Sequence, residues 1–121
     1  MKIIILGANG QLGKSLKKIF QKTSYKFYFF NKSDLDINDH KTLNKKFISI
    51  KPNIIINCCA YTAVDKAEKN YEEANNVNNV AVGKLAQQCL NNDCFLIHVS
   101  TDYVFDGLSE NPYVENDKKN P

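Results

Sequence analysis

The fold is decided by the stretch Ile3-Ile4-Ile5-Leu6-Gly7-Ala8-Asn9-Gly10-Gln11-Leu12-Gly13. Its four consecutive apolar residues are typical of a parallel strand buried on both faces. In the strand–turn–helix layout that follows, Gly7 permits a tight turn, Gly10 lets a pyrophosphate approach the backbone, and Gly13 lets the helix pack closely on the strand. The stretch therefore predicts a phosphate-binding turn, and a glycine-rich turn without a ligand is the alternative.

Length and composition exclude several classes of protein. A chain of 121 residues, 43% hydrophobic and 24% charged, suits one globular domain. Sixteen lysines and thirteen acidic residues give a net charge of +3. Because the lysines are spread along the chain, we expect no nucleic-acid partner. The apolar run after Lys2 is too short for a signal peptide or a membrane span, which predicts a cytoplasmic protein without membrane contact.

The four cysteines argue against a metal site. Cys58, Cys59, Cys89 and Cys94 form no CxxC pair and lie far in sequence from the two histidines, so we expect no zinc. Free, buried thiols in a reducing compartment are the expectation. As neighbours on a strand, Cys58 and Cys59 are expected to point to opposite faces.

Hydrophobic periodicity predicts an alternating βαβαβαβ chain. This alternation indicates an α/β fold of the Rossmann type, a doubly wound parallel sheet in the order 3-2-1-4. In the first helix, Leu12, Leu16, Ile19 and Phe20 are expected to face inward. After Ser100 the pattern dissolves into turns, so the fold is expected to stop after the fourth strand. The predicted strands are Ile3–Leu6, Tyr25–Phe30, Ile54–Cys58 and Cys94–Val99. The first and third predicted helices run over Gln11–Lys22 and Tyr71–Leu90. The second begins at a cap at Asn38 or Asp39 and ends at Pro52, and its inward residues are Leu43, Phe47 and Ile50.

The residues after the second strand bear on the choice of cofactor. A dinucleotide fold often places an acid there, on the adenosine ribose, whereas this chain has Asn31 and then Lys32. A cation without a carboxylate suits a 2′-phosphate, which favours NADP(H) over NAD(H). The alternative is that Lys32 is a solvent-exposed lysine without a ligand. Asp36, with Ile37 beside it, either meets the adenine or stabilises a turn without a ligand.

Two further candidate sites follow the third and fourth strands, where open α/β sheets bind ligands. The small side chains of Cys58-Cys59-Ala60 let the backbone run close under a cofactor, or simply pack the core. A hydroxyl in Ser100-Thr101-Asp102 is placed to hydrogen-bond a substrate carbonyl, and Asp102 to hold a sugar hydroxyl.

Longer motifs resemble the extended short-chain dehydrogenase/reductases, and in particular the N-terminal part of the dTDP-4-dehydrorhamnose reductase family. The glycine spacing is that of the larger group, and the resemblance covers essentially all 121 residues. The blocks that narrow it are Asp34-Leu35-Asp36-Ile37, Lys51-Pro52-Asn53-Ile54-Ile55-Ile56-Asn57, Tyr61-Thr62-Ala63-Val64-Asp65-Lys66-Ala67-Glu68 and Ser100-Thr101-Asp102-Tyr103-Val104-Phe105-Asp106-Gly107, together with Pro112-Tyr113 and Asn120-Pro121.

The resemblance implies transfer of a hydride from NAD(P)H to the 4-keto carbon of dTDP-4-dehydro-β-L-rhamnose, in dTDP-L-rhamnose biosynthesis. Thr101 matches the family's catalytic Ser/Thr, which hydrogen-bonds the reacting carbonyl, and Asp102 matches a residue that contacts the sugar. The resemblance is compatible with a homodimer of the full-length relative, and the sequence does not determine the oligomeric state. The implied cofactor contacts are Gly7, Gly10, Gln11, Leu12 and Gly13 at the pyrophosphate, Asp36 and Ile37 at the adenine, and Cys59, Ala60 and Tyr61 along the groove.

The resemblance also implies that functional groups lie outside this chain. The family's Tyr-x-x-x-Lys pair, whose tyrosine donates the proton and whose lysine lowers the pKa of that tyrosine, is expected shortly after Asn120-Pro121. We therefore expect residues 1–121 to be a partial NAD(P)-binding Rossmann domain, without later strands or the sugar-nucleotide-binding region, and with little or no reductase activity alone. Its fourth strand is then expected to be an exposed apolar edge that lowers solubility.

Two alternatives stay open at this point. One is a non-catalytic regulatory subunit with the same fold. The other is a reductase or epimerase that acts on another nucleotide sugar.

Overall fold

The computed structural model describes residues 1–20 and 23–120, and these contain four strands. The first strand begins one residue earlier than predicted. Each of the other three strands is one residue shorter than predicted at one or both ends. The strands are β1 (Lys2–Leu6), β2 (Lys26–Phe30), β3 (Ile54–Asn57) and β4 (Phe95–His98).

The four strands form one parallel sheet in the order β2-β1-β3-β4. The doubly wound α/β class is confirmed, but the predicted order 3-2-1-4 is wrong, because β3 pairs with β1 rather than with β2. Ile4 lies in register with Tyr28 on one side and with Ile55 on the other. The apolar β3 is buried on both faces and needs neighbours on both sides, whereas the partly exposed β2 tolerates an edge position.

Helices connect the strands and cover both faces of the sheet. The predicted helix over Tyr71–Leu90 is confirmed as one helical run, although a π turn interrupts it. The predicted end of the first helix at Lys22 lies outside the described residues, as does Pro121. The helices are α1 (Gln11–Phe20), α2 (His40–Ile50), α3 (Val64–Ala67), α4 (Tyr71–Asn75) and α5 (Ala81–Asn91), with the π turn at Asn76–Val80 and a 3₁₀ turn at Asp102–Val104.

Two apolar clusters lie on opposite faces of the sheet. One joins alternate strand residues such as Ile4 and Ile55 to the inner faces of α2 and α5. The other joins Ile3, Ile5 and Ile56 to α1. Consistent with the predicted alternation, Cys59 packs against the first cluster and its neighbour Cys58 against the second.

Helix α1 is rotated relative to the prediction. Ile19 is 64% exposed and Leu12 is exposed as well, so their inward placement is wrong. The residues that face the sheet are Gly13, Leu16 and Phe20, and the Phe20 ring stacks on Phe27 with 4.5 Å between centroids. The rotation follows from the backbone of Gly13, which fits directly against the glycine turn.

Helix α2 begins and ends as the sequence predicts. The carboxylate of Asp39 caps it by accepting a hydrogen bond of 3.0 Å from the Thr42 backbone N–H. Lys51 ends it with a left-handed φ of 52°, directly before Pro52. The predicted inner face of Leu43, Phe47 and Ile50 is buried.

Strand β4 is an edge strand with an uncovered apolar face. Phe95 and Ile97 alternate along it and Val99 follows directly after it, and all three are exposed, with Phe95 at 68%. This confirms the expected apolar edge. None of the helices in the described ranges is long and apolar enough to cross a membrane.

Candidate functional site

A cleft of about 280 Å³ opens where the carboxyl ends of β1 and β3 meet the turn after β2. The chain winds from β1 to one side through α1 and returns to the other side through α2, so this is the switch point at which α/β sheets bind ligands. Nine of the predicted cofactor residues line the cleft. They are Gly7, Gly10, Asn31, Lys32, Asp36, Ile37, Cys59, Ala60 and Tyr61.

The three glycines of the turn have different surroundings. Gly7 has φ +74°, and a Cβ there would lie 2.8 Å from the carbonyl carbon of Cys58. A Cβ on Gly13 would lie 2.6 Å from the carbonyl oxygen of Gly7. A Cβ on Gly10 would meet only that same oxygen, at 3.4 Å. The protein's own packing therefore requires glycine at 7 and 13, whereas the open side of Gly10 faces the cleft.

Backbone hydrogen bonds hold the turn against the sheet. The Ala8 N–H donates to the Phe30 carbonyl and the Lys14 N–H to the Gly10 carbonyl, both at 3.0 Å. The remaining predicted pyrophosphate residues form the first turn of α1 and do not line the cleft; they are Gln11, Leu12 and Gly13. N–H groups in a first helical turn have no carbonyl acceptor within the helix, and they form its positive end.

The segment after β2 is a hydrogen-bonded turn. The amide oxygen of Asn31 accepts from the backbone N–H of Ser33 at 2.9 Å and of Asp34 at 3.2 Å. Asp36 accepts from the backbone N–H of Asn38 at 2.8 Å, so the turn role left open by the sequence is present. Sequence periodicity predicts a polar loop here, but Leu35 is buried in the core beneath it.

A second cavity of about 480 Å³ adjoins the cleft and shares Lys32, Glu73 and Val77 with it. His40 and Lys84 also line this cavity. Partial burial lowers the pKa of His40, and the positive charge of Lys84 lowers it further. Lys32, His40 and Lys84 therefore line one cavity together with the carboxylates of Glu72 and Glu73.

Asn57 fixes the carboxyl end of β3. Its side chain is 1% exposed, and its oxygen accepts from the Cys59 backbone N–H at 3.0 Å. Its amide nitrogen therefore faces Nδ1 of His98 on β4, 3.1 Å away. This contact ties the end of β3 to the end of β4.

Cys59 lines the cleft as a neutral thiol. Burial raises its pKa to about 11, with smaller contributions from Cys58 and Asp36. The thiol therefore stays protonated at neutral pH and adds an apolar surface to the cleft.

Tyr61 forms a wall of the cleft and is held at three points. Its backbone N–H donates to Oδ1 of Asn78 at 2.8 Å, and its carbonyl accepts from Nδ2 of the same residue at 3.0 Å. Its hydroxyl accepts from Nδ2 of Asn70 at 3.2 Å.

The predicted substrate residues lie apart from this cleft. Thr101 and Asp102 follow β4 and line neither cavity. The Thr101 hydroxyl donates to the Asp102 carboxylate and accepts from the Tyr103 backbone N–H, both at 3.2 Å. A Tyr-x-x-x-Lys spacing occurs at Tyr28 and Lys32, but it joins a strand residue packed on the core to a turn residue, so it does not form a pair on one helical turn.

Sequence reasoning missed several residues of the cleft. Glu73 and Val77 reach it from the helical run, far along the chain from the glycine turn. Periodicity places Val77 on the apolar face of the predicted helix over Tyr71–Leu90, but no local signal marks Glu73, or Asn78 beside the cleft. The other residues missed are Asn9 and Leu35.

Residues 1–121 match the family model described as the RmlD substrate binding domain. The chain belongs to this family.

Several solved structures superpose closely on the chain. A dTDP-4-dehydrorhamnose reductase from Clostridium acetobutylicum is 41% identical, with a TM-score of 0.95 over 100% of this chain and 43% of its own. One from Bacillus anthracis, solved in complex with NADP, is 38% identical, with a TM-score of 0.93 over 99% of this chain and 43% of its own. The UDP-glucose 4-epimerase from Brucella ovis, at 18% identity, shares the fold, with a TM-score of 0.86 over 99% of this chain and 42% of its own.

Several curated relatives of the chain are also named dTDP-4-dehydrorhamnose reductase. The dTDP-4-dehydrorhamnose reductase from Aggregatibacter actinomycetemcomitans is 40% identical over 99% of this chain and 41% of its own length. The chain thus spans about two fifths of the length of the curated relatives that it matches.

Proposed function

We propose that this chain forms the cofactor-binding part of an NADPH-dependent dTDP-4-dehydrorhamnose reductase. The observation that carries the proposal is the convergence of the glycine turn, the turn after β2 and the residues after β3 on one cleft at the switch point of the sheet. Membership of the RmlD family supports the reaction, as do relatives that bear this name. In that reaction the bound cofactor supplies a hydride to the 4-keto group of the sugar nucleotide.

The residues of the cleft suit the parts of a dinucleotide. The open side of Gly10 and the first turn of α1, formed by Gln11, Leu12 and Gly13, suit the pyrophosphate, since backbone N–H groups and a helix dipole attract anions. The turn with Asp36 and Ile37 suits the adenine, and Cys59, Ala60 and Tyr61 the groove towards the nicotinamide.

Lys32 and Asn31 favour NADPH over NADH. No carboxylate occupies the position after β2 that often holds the ribose hydroxyls of NADH. Lys32 lines both the cleft and the adjoining cavity, so its ammonium group is placed to meet a 2′-phosphate there, beside Lys84 and the carboxylates of Glu72 and Glu73.

Thr101 and Asp102 are the proposed substrate contacts. They lie at the carboxyl edge of the sheet beyond β4, the same edge at which the cleft opens. The Thr101 hydroxyl is suited to donate a hydrogen bond to the reacting carbonyl once it leaves the carboxylate of Asp102.

Nucleotide titration of the chain and of two variants tests the proposal. Wild type is expected to bind NADPH more tightly than NADH. Gly10→Ala is expected to keep the unfolding midpoint, because its Cβ meets a single atom at 3.4 Å, and to lose most of the affinity, because the methyl group fills the space of the pyrophosphate. Lys32→Ala is expected to weaken NADPH and to leave NADH unchanged.

Two results would contradict this proposal. Failure of the folded wild type to bind either nucleotide would remove the cofactor site. A strong preference for NADH would remove the assignment of NADPH and of the role of Lys32.

A further inference from the structure

Asn78 reaches Tyr61 from a distant part of the chain. Asn78 lies 17 positions after Tyr61 in the sequence. Its Oδ1 accepts from the Tyr61 backbone N–H at 2.8 Å, and its Nδ2 donates to the Tyr61 carbonyl at 3.0 Å. An asparagine side chain is suited to this, because its amide presents a donor and an acceptor side by side. One side chain thus fixes the backbone of the wall-forming residue in place of a strand or helix partner.

The helix that carries Asn78 is locally altered at this position. Residues Asn76–Val80 form a π turn, in which the Ala81 N–H donates to the carbonyl of Asn76. Such turns are rare within α-helices and frequent at functional sites. Here the turn places Val77 in the cleft and the adjacent Asn78 on the backbone of Tyr61.

We propose that Asn78 is a positioning residue for the nucleotide cleft, one that sets the wall formed by Ala60 and Tyr61 through its two hydrogen bonds to the Tyr61 backbone. The proposal rests on the proposed function for the identity of the ligand. The wall connects β3 to α3 and contains no strand or helix of its own. The bond from Asn70 reaches only the hydroxyl of Tyr61, so the backbone of the wall depends on Asn78.

The chain offers a matched control in the next residue. Asn79 lies on the same π turn and is also exposed, but its amide nitrogen donates to Oδ1 of Asn75 within the helix, at 3.0 Å. Asn79→Ala therefore alters the turn without touching Tyr61. Asn78→Asp separates the two bonds, because a carboxylate still accepts from the Tyr61 N–H but cannot donate to its carbonyl.

The experiment measures hydrogen exchange at the Tyr61 amide by NMR, and NADPH affinity by titration, in wild type, Asn78→Ala, Asn78→Asp and Asn79→Ala. In Asn78→Ala we expect faster exchange at Tyr61 and a roughly tenfold weaker affinity for NADPH, the order expected for two modest hydrogen bonds. Asn78→Asp is expected to slow this exchange relative to Asn78→Ala and still to bind NADPH less tightly than wild type. Asn79→Ala is expected to match wild type in both measurements.

The outcomes separate this proposal from the proposed function. Unchanged exchange at Tyr61 in Asn78→Ala overturns the positioning role, whether or not NADPH binds. Equal loss of affinity in Asn78→Ala and Asn79→Ala also overturns it, because a general disturbance of the helix would then explain both. If wild type binds no NADPH, the proposed function fails, and the exchange at Tyr61 still decides whether Asn78 sets the wall.

Discussion

Substitution of Gly13 by alanine tests why the glycine turn and α1 fit together. The added Cβ would lie 2.6 Å from the Gly7 carbonyl oxygen and 2.7 Å from the Cα of Ala8. These are backbone atoms held by the Ala8 hydrogen bond to Phe30, so they cannot move aside as a flexible side chain can. We expect a cost at the upper end of overpacking, about 3 kcal/mol.

The helical position of Gly13 offsets part of this cost. Alanine is favoured over glycine within a helix by roughly 1 kcal/mol. The free energy of unfolding of Gly13→Ala is therefore expected to fall by about 2 kcal/mol. Gly83 in α5 is the matched control, because a Cβ there has no neighbour within 4 Å. Gly83→Ala is expected to gain about 1 kcal/mol from helix propensity alone.

Urea unfolding followed by circular dichroism measures both variants. With an unchanged m-value, the midpoint should decrease for Gly13→Ala and increase for Gly83→Ala. The difference between the two free energies, about 3 kcal/mol, isolates the contact of the turn with the helix. A Gly13→Ala protein as stable as wild type would show that the helix shifts freely on the turn, and would refute this account.

Three further predictions follow from the sheet and the cleft. Asn57→Ala should lower the free energy of unfolding by about 1–3 kcal/mol in urea titrations, because it leaves the Cys59 N–H without its acceptor; a variant as stable as wild type would contradict the role of this buried amide. Ile97→Lys should reduce self-association in sedimentation experiments and change stability by less than about 0.5 kcal/mol, since the side chain lies on the uncovered edge; persistent association would place the contact elsewhere. The folded-state pKa of Cys59 is raised to about 11 from 9.0, so its contribution to stability should be complete below pH 9 and decrease as the pH rises towards 11, where the unfolded thiol ionises first. Unfolding of Cys59→Ala between pH 8 and 11 should show a smaller decrease than wild type, and an equal decrease would contradict the assigned pKa.

Local patterns were sufficient for most of the helices and strands and for the glycine turn of the candidate site. Asp39 caps the start of α2 and Pro52 prevents the helix from continuing, and both effects involve only residues close in sequence. The glycine spacing identifies the turn in the same way, since the left-handed φ of Gly7 is a property of a few residues. Nine predicted cofactor residues meet in one cleft, because the carboxyl ends of parallel strands share one edge.

The rotation of α1 shows where such patterns stop. Leu12, Leu16, Ile19 and Phe20 fit one helical stripe, yet Ile19 is exposed. The contact of Gly13 with the turn decides which stripe faces the sheet, and this contact joins two elements. Periodicity shows that a helix has an apolar face, but it does not show which residues of that face contact the neighbouring element.

By itself, the sequence determined the parallel α/β class, the glycine turn and the strand ends at which the cleft lies, because strand burial, helix caps and turns depend on neighbouring residues. Only the tertiary structure decided that β3 lies beside β1, since strand pairing depends on contacts between residues far apart in the sequence. It also decided the far wall of the cleft. Glu73, Val77 and Asn78 come from a helical run that carries no mark of the site, and folding alone brings them to Tyr61 and the glycine turn.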